Sequence, residues 1–270
     1  MLKTAGLILN NRNEKAVRCA ERAAAFLRCH SIDTFFPQIQ QSSVQPDVIV
    51  SFGGDGTLLL GARYALLYDI PLLGINLGTV GFLTEEDPDH LEDALLSLID
   101  CDYQIEYRSV LHILNSSAED NFFALNDAVI TRGGYARLIR VDAFVDNKAY
   151  GSFTADGIIV ATPTGSTGYS LSAGGPIVEP GVNCIIITPV CPHSMQHCPC
   201  IVPENADIKL QLSRNREQTA ELQIDGQNMG SLTSGDEIHV TGASKKIRLI
   251  RLHPYDFFGL TRKKLSEWGS

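Results

Sequence analysis

Nowhere in these 270 residues does an apolar run approach the roughly 18 residues that a membrane-spanning helix requires. The longest, such as Gly157-Ile158-Ile159-Val160-Ala161 and Cys184-Ile185-Ile186-Ile187, fall far short, so no membrane partner is expected. The opening stretch from Met1 to Asn10 is too short and too soon polar to be the apolar core of a signal peptide, which points to a cytoplasmic protein. Basic residues are scarce. Twenty-two Lys and Arg against 31 Asp and Glu leave a net charge of −9, the wrong sign for a surface that neutralises nucleic-acid phosphates. Any anionic ligand must therefore be held locally, by N–H groups at a helix N-terminus, by Mg²⁺ or by one or two placed Arg or Lys residues. The seven cysteines are an odd number without a disulfide-scaffold spacing, which suits free thiols in a reducing compartment. The sequence also lacks both G-x-x-x-x-G-K-[ST] and G-x-G-x-x-G, which excludes P-loop NTPases and standard Rossmann dehydrogenases. It has no internal repeat.

What is present changes character along the chain. Residues 1–102 alternate apolar runs with helical spacing: strands at Ala5 to Leu9, Asp47 to Phe52 and Pro71 to Asn76, and helices at Asn13 to Cys29, Thr57 to Tyr68 and Asp89 to Ile99. That βαβ rhythm implies a parallel sheet covered by helices. Residues 103–246 carry short strand-like runs instead, among them Val110 to Leu114, Phe122 to Leu125, Leu138 to Val145, Gly157 to Val160, Cys184 to Thr188, Ile208 to Leu212 and Glu221 to Ile224. With turn chemistry at Asp146-Asn147-Lys148 and Asp225-Gly226, they read as an antiparallel β domain. Residues 247–270 return to the earlier style, with a strand at Ile247 to Leu252 and an N-capped helix from Asp256 to Trp268, and should pack on the first domain.

Two constellations carry chemistry. In the first, Ser51-Phe52-Gly53-Gly54-Asp55-Gly56-Thr57, glycines sit between an apolar strand and a helix. Ligands bind at the carboxyl ends of strands in such sheets, and glycines let backbone N–H groups approach phosphate. Glycines alone also suit a tight turn capped by Asp55. A carboxylate beside a phosphate cradle, however, is unfavourable unless it meets Mg²⁺ or takes a proton from an attacking hydroxyl, the two tasks of phosphoryl transfer. The second runs from Thr154 through Asp156-Gly157 to Pro176. Ten of the fourteen residues from Thr162 to Gly175 are Ser, Thr or Gly, which by composition alone would read as a flexible linker. Hydrophobic strands flank it, and small hydroxyl residues around Tyr169 suit a surface that hydrogen-bonds a ribose or carboxamide and stacks a ring.

Gly53-Gly54-Asp55-Gly56 resembles the motif shared by NAD kinases, 6-phosphofructokinases and the diacylglycerol and sphingosine lipid kinases. The segment from Thr154 to Pro176 resembles NAD kinases in particular, as do Asn76 to Thr84, Asn126-Asp127, Thr188 to Ser194, Asp225-Gly226-Gln227 and Phe257-Phe258 to Trp268. The resemblance implies a Rossmann-like N-terminal α/β domain and a β-rich C-terminal domain with NAD bound between them. It further implies homodimers or homotetramers in which a neighbour completes the site. NAD would be phosphorylated on its adenosine ribose 2′-hydroxyl by ATP, another nucleoside triphosphate or polyphosphate with Mg²⁺ or another divalent metal.

Residue by residue, Asp55 matches the catalytic aspartate that takes the 2′-hydroxyl proton, and Gly53, Gly54 and Gly56 surround the phosphates. Asn126 and Asp127 match an Asn-Glu pair that binds the riboses or adenine, Asp127 being one methylene shorter than the usual Glu. Asp156 matches a carboxylate that meets the carboxamide or a ribose. Ser166, Thr167, Gly168, Tyr169, Ser170, Leu171 and Ser172 match the dinucleotide-binding loop, with Gly168 where Ala is usual, and Arg137, Thr154 and Gln227 join the nucleotide-binding set. A lipid kinase would explain Gly53 to Thr57 but not the polar Thr162 to Pro176, and a non-catalytic NAD(P) sensor would have no use for Asp55. Cys191, His193, His197, Cys198 and Cys200 do not pair at structural-zinc spacing, so no zinc is expected there. His253, standing alone, is expected to be structural.

Overall fold

The computed structural model describes residues 2–37, 45–78, 81–133, 137–193, 198–215 and 217–268. The chain forms two compact units, Met1–Tyr107 with Ile247–Ser270, and Arg108–Lys246. The first unit opens with β1 (Thr4–Leu9), α1 (Glu14–Cys29), β2 (Asp33–Phe35), β3 (Val48–Gly53), α2 (Asp55–Tyr68), β4 (Leu72–Asn76), α3 (Leu91–Asp100) and β5 (Gln104–Arg108). Asn13 starts α1 by accepting the Lys15 and Ala16 N–H groups on its side chain. The buried Ala16, Cys19, Ala20, Ala23, Ala24 and Leu27 recur every three or four residues, so one narrow apolar face packs with Leu7, Val50 and Ile75 of the sheet. β1, β3 and β4 pair in parallel, and every residue of β3 and β4 is buried. Helices cover both faces of such a sheet, which is why these strands read as mainly apolar runs.

The second unit contains β6 (Leu111–Asn115), β7 (Asp120–Ala124), β8 (Asp127–Thr131), β9 (Ile139–Val145), β10 (Lys148–Ala155), β11 (Gly157–Ala161), the one-turn helix α4 (Tyr169–Ser172), β12 (Cys184–Val190), β13 (Cys200–Pro203), β14 (Ile208–Leu212), β15 (Thr219–Ile224), β16 (Gln227–Thr233) and β17 (Glu237–Gly242). They form two six-stranded antiparallel sheets, ordered β10-β9-β14-β17-β6-β7 and β13-β12-β11-β8-β15-β16. Ile158, Val160 and Ile187 of the second sheet share a core with Val141, Leu210 and Val240 of the first. Ile159, Ala161 and Ile186 pack on the opposite face with Val178, so β11 is covered on both sides. The hairpins β9–β10 and β15–β16 close through Asp146-Asn147 and Asp225-Gly226, all four at positive φ, as two-residue turns between right-twisted strands demand.

The chain then returns to the first unit. β18 (Ile247–Arg251) pairs in parallel with β4 and stands between β4 and β5, and α5 (Phe257–Trp268) follows it. Two sequence expectations shift. The second helix begins at Asp55 rather than Thr57, and the third is preceded by a 3-10 turn at Pro88–His90 whose start Asp87 caps. No helix among the described residues is long and apolar enough to cross a membrane.

Candidate active site

β3 ends at Gly53 and α2 begins two residues later, with Gly54 as an N-cap that contributes no side-chain hydrogen bond. The helix therefore presents its first N–H groups, and the positive end of its dipole, without a side chain to satisfy them. A Cβ at Gly54 or Gly56 would meet nothing within 4 Å, whereas one at Gly53 would overlap Thr57. Gly53 thus serves packing, and Gly54 and Gly56 leave open space against the backbone.

Asp55 does not cap the helix, as the turn reading allowed. Its carboxylate reaches to the segment after β4, where Oδ2 accepts the Phe82 N–H at 2.9 Å and Oδ1 the Leu83 N–H at 3.2 Å. The approach is close enough that a Cβ at Gly81 would overlap the carboxylate. Thr79 and Val80 lie outside the described residues; on either side of them the segment is pinned to the sheet by Leu77 N–H to the Gly53 carbonyl and Glu85 N–H to the Gly74 carbonyl.

In the second unit, the Ser/Thr/Gly segment is tied down by its own hydroxyls. Thr162 Oγ1 donates to the Leu125 carbonyl at 2.6 Å and accepts the Gly165 N–H, while its backbone N–H binds the Asn126 carbonyl. A Cβ at Gly165 would collide with Asn126, so only glycine lets the two backbones approach. Buried Arg108 donates to Thr164 Oγ1, Ser166 both donates to and accepts from the Val178 peptide, and Ser170 pairs with Thr188. Ser166 and Ser170 are thus fully buried framework residues. Thr167 and Gly168 are half-buried, Ser172 is exposed, and Tyr169 is 43% exposed at the start of α4.

This segment folds onto Asn126 and Asp127. Behind them, Asp225 in the β15–β16 turn accepts three consecutive backbone N–H groups, those of Leu125, Asn126 and Asp127, at 2.8 to 3.2 Å. Asn126 keeps a buried Oδ1 without a hydrogen-bond partner. The Asp127 carboxyl is pushed up to about 7, first by burial and then by the negative charge of Asp225. Gln227, just past the turn, is exposed.

Asp156 and Thr154 are not part of this cluster. β11 aligns Ala161 with Asp127 and Gly157 with Thr131, so Asp156 lies beyond the opposite end of the strand, roughly 15 Å away at 3.3 Å per residue. There it pairs with Arg132 Nε at 2.7 Å, and the Thr154 carbonyl accepts the His193 N–H. Arg137 is exposed and joins neither group.

Known proteins match this arrangement along its whole length. The ATP-NAD kinase N-terminal domain family matches residues 33–103, and the ATP-NAD kinase C-terminal domain family matches residues 125–252. An NAD kinase of Heliobacterium modesticaldum is 38% identical, the match covering 98% of this chain and 99% of the relative. The chain belongs to the NAD kinase family. One of Thermoanaerobacter pseudethanolicus is 37% identical, with 98% and 100% covered. Among solved structures, yeast NADH kinase complexed with NADH superposes with a TM-score of 0.85 at 26% identity, covering 98% of this chain and 88% of that one. An NAD kinase from Archaeoglobus fulgidus in complex with ATP gives 0.78 at 27%, covering 97% and 98%.

As an NAD kinase the chain is a phosphotransferase that converts NAD to NADP. Its departures from the usual pattern now have a setting. At Gly168 an alanine Cβ would come no closer than 3.4 Å to the Gly165 carbonyl, so the glycine answers to no crowding. Arg108, Arg132 and Asp225 were not among the expected site residues; only Asp225 left a sequence trace, as the Asp of an Asp-Gly hairpin turn and of the Asp225-Gly226-Gln227 stretch that resembles NAD kinases.

Cys198 and Cys200 border Tyr150, whose hydroxyl donates to the Cys198 carbonyl and is pushed up to about 12, chiefly by burial and then by the nearby thiols. His197 lies outside the described residues, and among those described no three His, Cys, Asp or Glu side chains gather to hold a metal. Elemental analysis of protein purified without affinity-tag metal is expected to find well under one zinc per chain. A full equivalent that disappears in Cys198→Ser/Cys200→Ser would refute this.

Proposed function

We propose that this NAD kinase binds the phosphates of ATP, another nucleoside triphosphate or polyphosphate at the N-terminus of α2 and uses Asp55 as the base that takes the 2′-hydroxyl proton. The observation that carries the reading is the pairing of an uncapped helix terminus, open at Gly54 and Gly56, with a carboxylate on its first residue. Such a terminus favours phosphate, and the carboxylate beside it then has a use that phosphate alone would not supply. The donor brings Mg²⁺ as part of the substrate. Bound with the donor's phosphates, the ion would neutralise charge developing there.

Asn126, Asp127, Thr167, Tyr169 and Ser172 form the dinucleotide-binding surface. Ser166 and Ser170 support it from within. Asp156 and Thr154, at the far end of β11, are best explained as contributions to a neighbouring copy's site, in a homodimer or homotetramer. The test is an assay of purified protein with NAD, Mg²⁺ and ATP or polyphosphate. NADP formation with either donor supports the reading, and none with both would end it.

Tyr169 offers a separate check. Its ring is exposed at the start of α4, so Tyr169→Ala is expected to raise KM for NAD about tenfold, the equivalent of a 1–2 kcal/mol stacking contact, with kcat little changed. Collapsed turnover at unchanged KM would move Tyr169 into the chemistry instead.

A further inference from the structure

One of the two peptides that hold the Asp55 carboxylate, Phe82–Leu83, and the peptide that follows it are held in turn by residues at the end of β18 and just after it. The Phe82 carbonyl accepts a hydrogen bond from the Tyr255 hydroxyl at 3.3 Å, and the Leu83 carbonyl one from Arg251 Nη1 at 3.4 Å. The Phe82–Leu83 peptide is thus gripped at both ends, its N–H by Asp55 and its C=O by Tyr255. Arg251 is itself fixed, 4% exposed, with Nε on Glu106 at 2.6 Å, Nη1 on Glu85 at 2.7 Å and its guanidinium 4.2 Å from the centre of the Tyr255 ring. Glu85 closes the circuit by accepting the Leu252 and His253 N–H groups, and His253 meets Glu86.

We propose that Tyr255 and Arg251 are positioning residues for Asp55, acting through the Phe82–Leu83 peptide and the Leu83 carbonyl. The inference rests on Asp55 being the base. A carboxylate on a single methylene that accepts two N–H groups has little freedom left while those groups stay in place. Release of the Phe82 and Leu83 carbonyls lets the Phe82–Leu83 peptide tilt, loosens the chain on both sides of it and lets the carboxylate wander. Displacements of an ångström at a reacting group cost turnover without weakening substrate binding.

Tyr255→Phe is the sharper test, because it deletes the hydroxyl and keeps the ring under Arg251. It is expected to lower kcat about tenfold, leave KM for NAD within twofold, and speed hydrogen exchange at the Phe82 and Leu83 amides. Arg251→Lys, which keeps the charge between Glu85 and Glu106 but loses the planar fork, should do the same more strongly. Should it fail to fold, Tyr255→Phe alone decides. Wild-type kcat in Tyr255→Phe, loss carried by KM, or unchanged exchange at the two amides would overturn the proposal. Asp55→Asn assayed beside it separates the two failures. If that variant keeps more than a tenth of activity, the base reading is wrong; if it is inactive while Tyr255→Phe is normal, only the positioning role falls.

Discussion

Asp55→Asn is expected to cut NADP formation by at least two orders of magnitude while calorimetry still detects NAD binding with affinity changed only a few-fold. The amide cannot accept the 2′-hydroxyl proton at neutral pH, and a positioned carboxylate base contributes about 10²- to 10⁴-fold. The structure adds a second, smaller consequence. Both carboxylate oxygens accept backbone N–H groups, from Phe82 and Leu83. An asparagine offers one oxygen and turns its NH₂ toward the other donor, so one charge-assisted bond is lost and two donors face each other. That should cost about 1–3 kcal/mol of stability. A modest fall in Tm must therefore accompany the loss of turnover, and activity has to be read on protein shown to be folded. Retention of more than a tenth of wild-type turnover would leave Asp55 a catalytic contribution under about 1.4 kcal/mol. Its carboxylate would then be a loop anchor only.

That double duty of Asp55 marks the limit of what the sequence could reveal. Apolar runs such as Val48 to Val50 and Leu72 to Ile75 were legible as strands because burial on both faces favours apolar side chains, and the polar residue within β3, Ser51, is buried with its hydroxyl on the Leu73 carbonyl. β2, β5, β7, β10, β13 and β16 lie at sheet edges, and β2, β5, β10, β13 and β16 were not singled out as strands, since an edge strand keeps a solvated side and loses the apolar signal; the interior strands β8 and β17 were not singled out either. β16 shows why: one residue of its seven is buried. In the site, Gly53 to Gly56 and the hydroxyl-rich segment were visible as types of residue. Their partners were not. Asp225 grips residues 98 to 100 positions away, and Arg251 meets Leu83 across 168. No local pattern encodes such pairs, because topology makes them neighbours. Ser166 and Ser170 show the converse: hydroxyls suited to a ligand are consumed inside the fold, Ser166 by the backbone carbonyl and N–H of Val178 and Ser170 by the Thr188 hydroxyl.

Asp127 should make this protein less stable as the pH rises from about 4 to 7, and Asp127→Asn should abolish that part of the dependence. The side chain is 6% exposed and close to the charge of Asp225, so burial and repulsion raise its carboxyl from 3.8 to about 7 in the folded protein. Between those values the folded state binds a proton that the unfolded state releases. Stability from this group is therefore complete below about pH 4 and declines by about 1.4 kcal/mol per unit until the folded carboxyl ionises near 7. Asn resembles the protonated acid in shape and carries no charge to bury. Other groups titrate alike in both proteins, so the comparison isolates Asp127. Urea unfolding at pH 5 and pH 8 is expected to show the variant gaining on the wild type by about 2–3 kcal/mol between the two. Parallel stability curves would mean that Asp127 is ionised and comfortable in the fold, with solvent or a rearranged Asp225 relieving the repulsion. A variant that loses ground as the pH rises would show instead that the ionised carboxylate is itself a stabilising partner of the surrounding backbone.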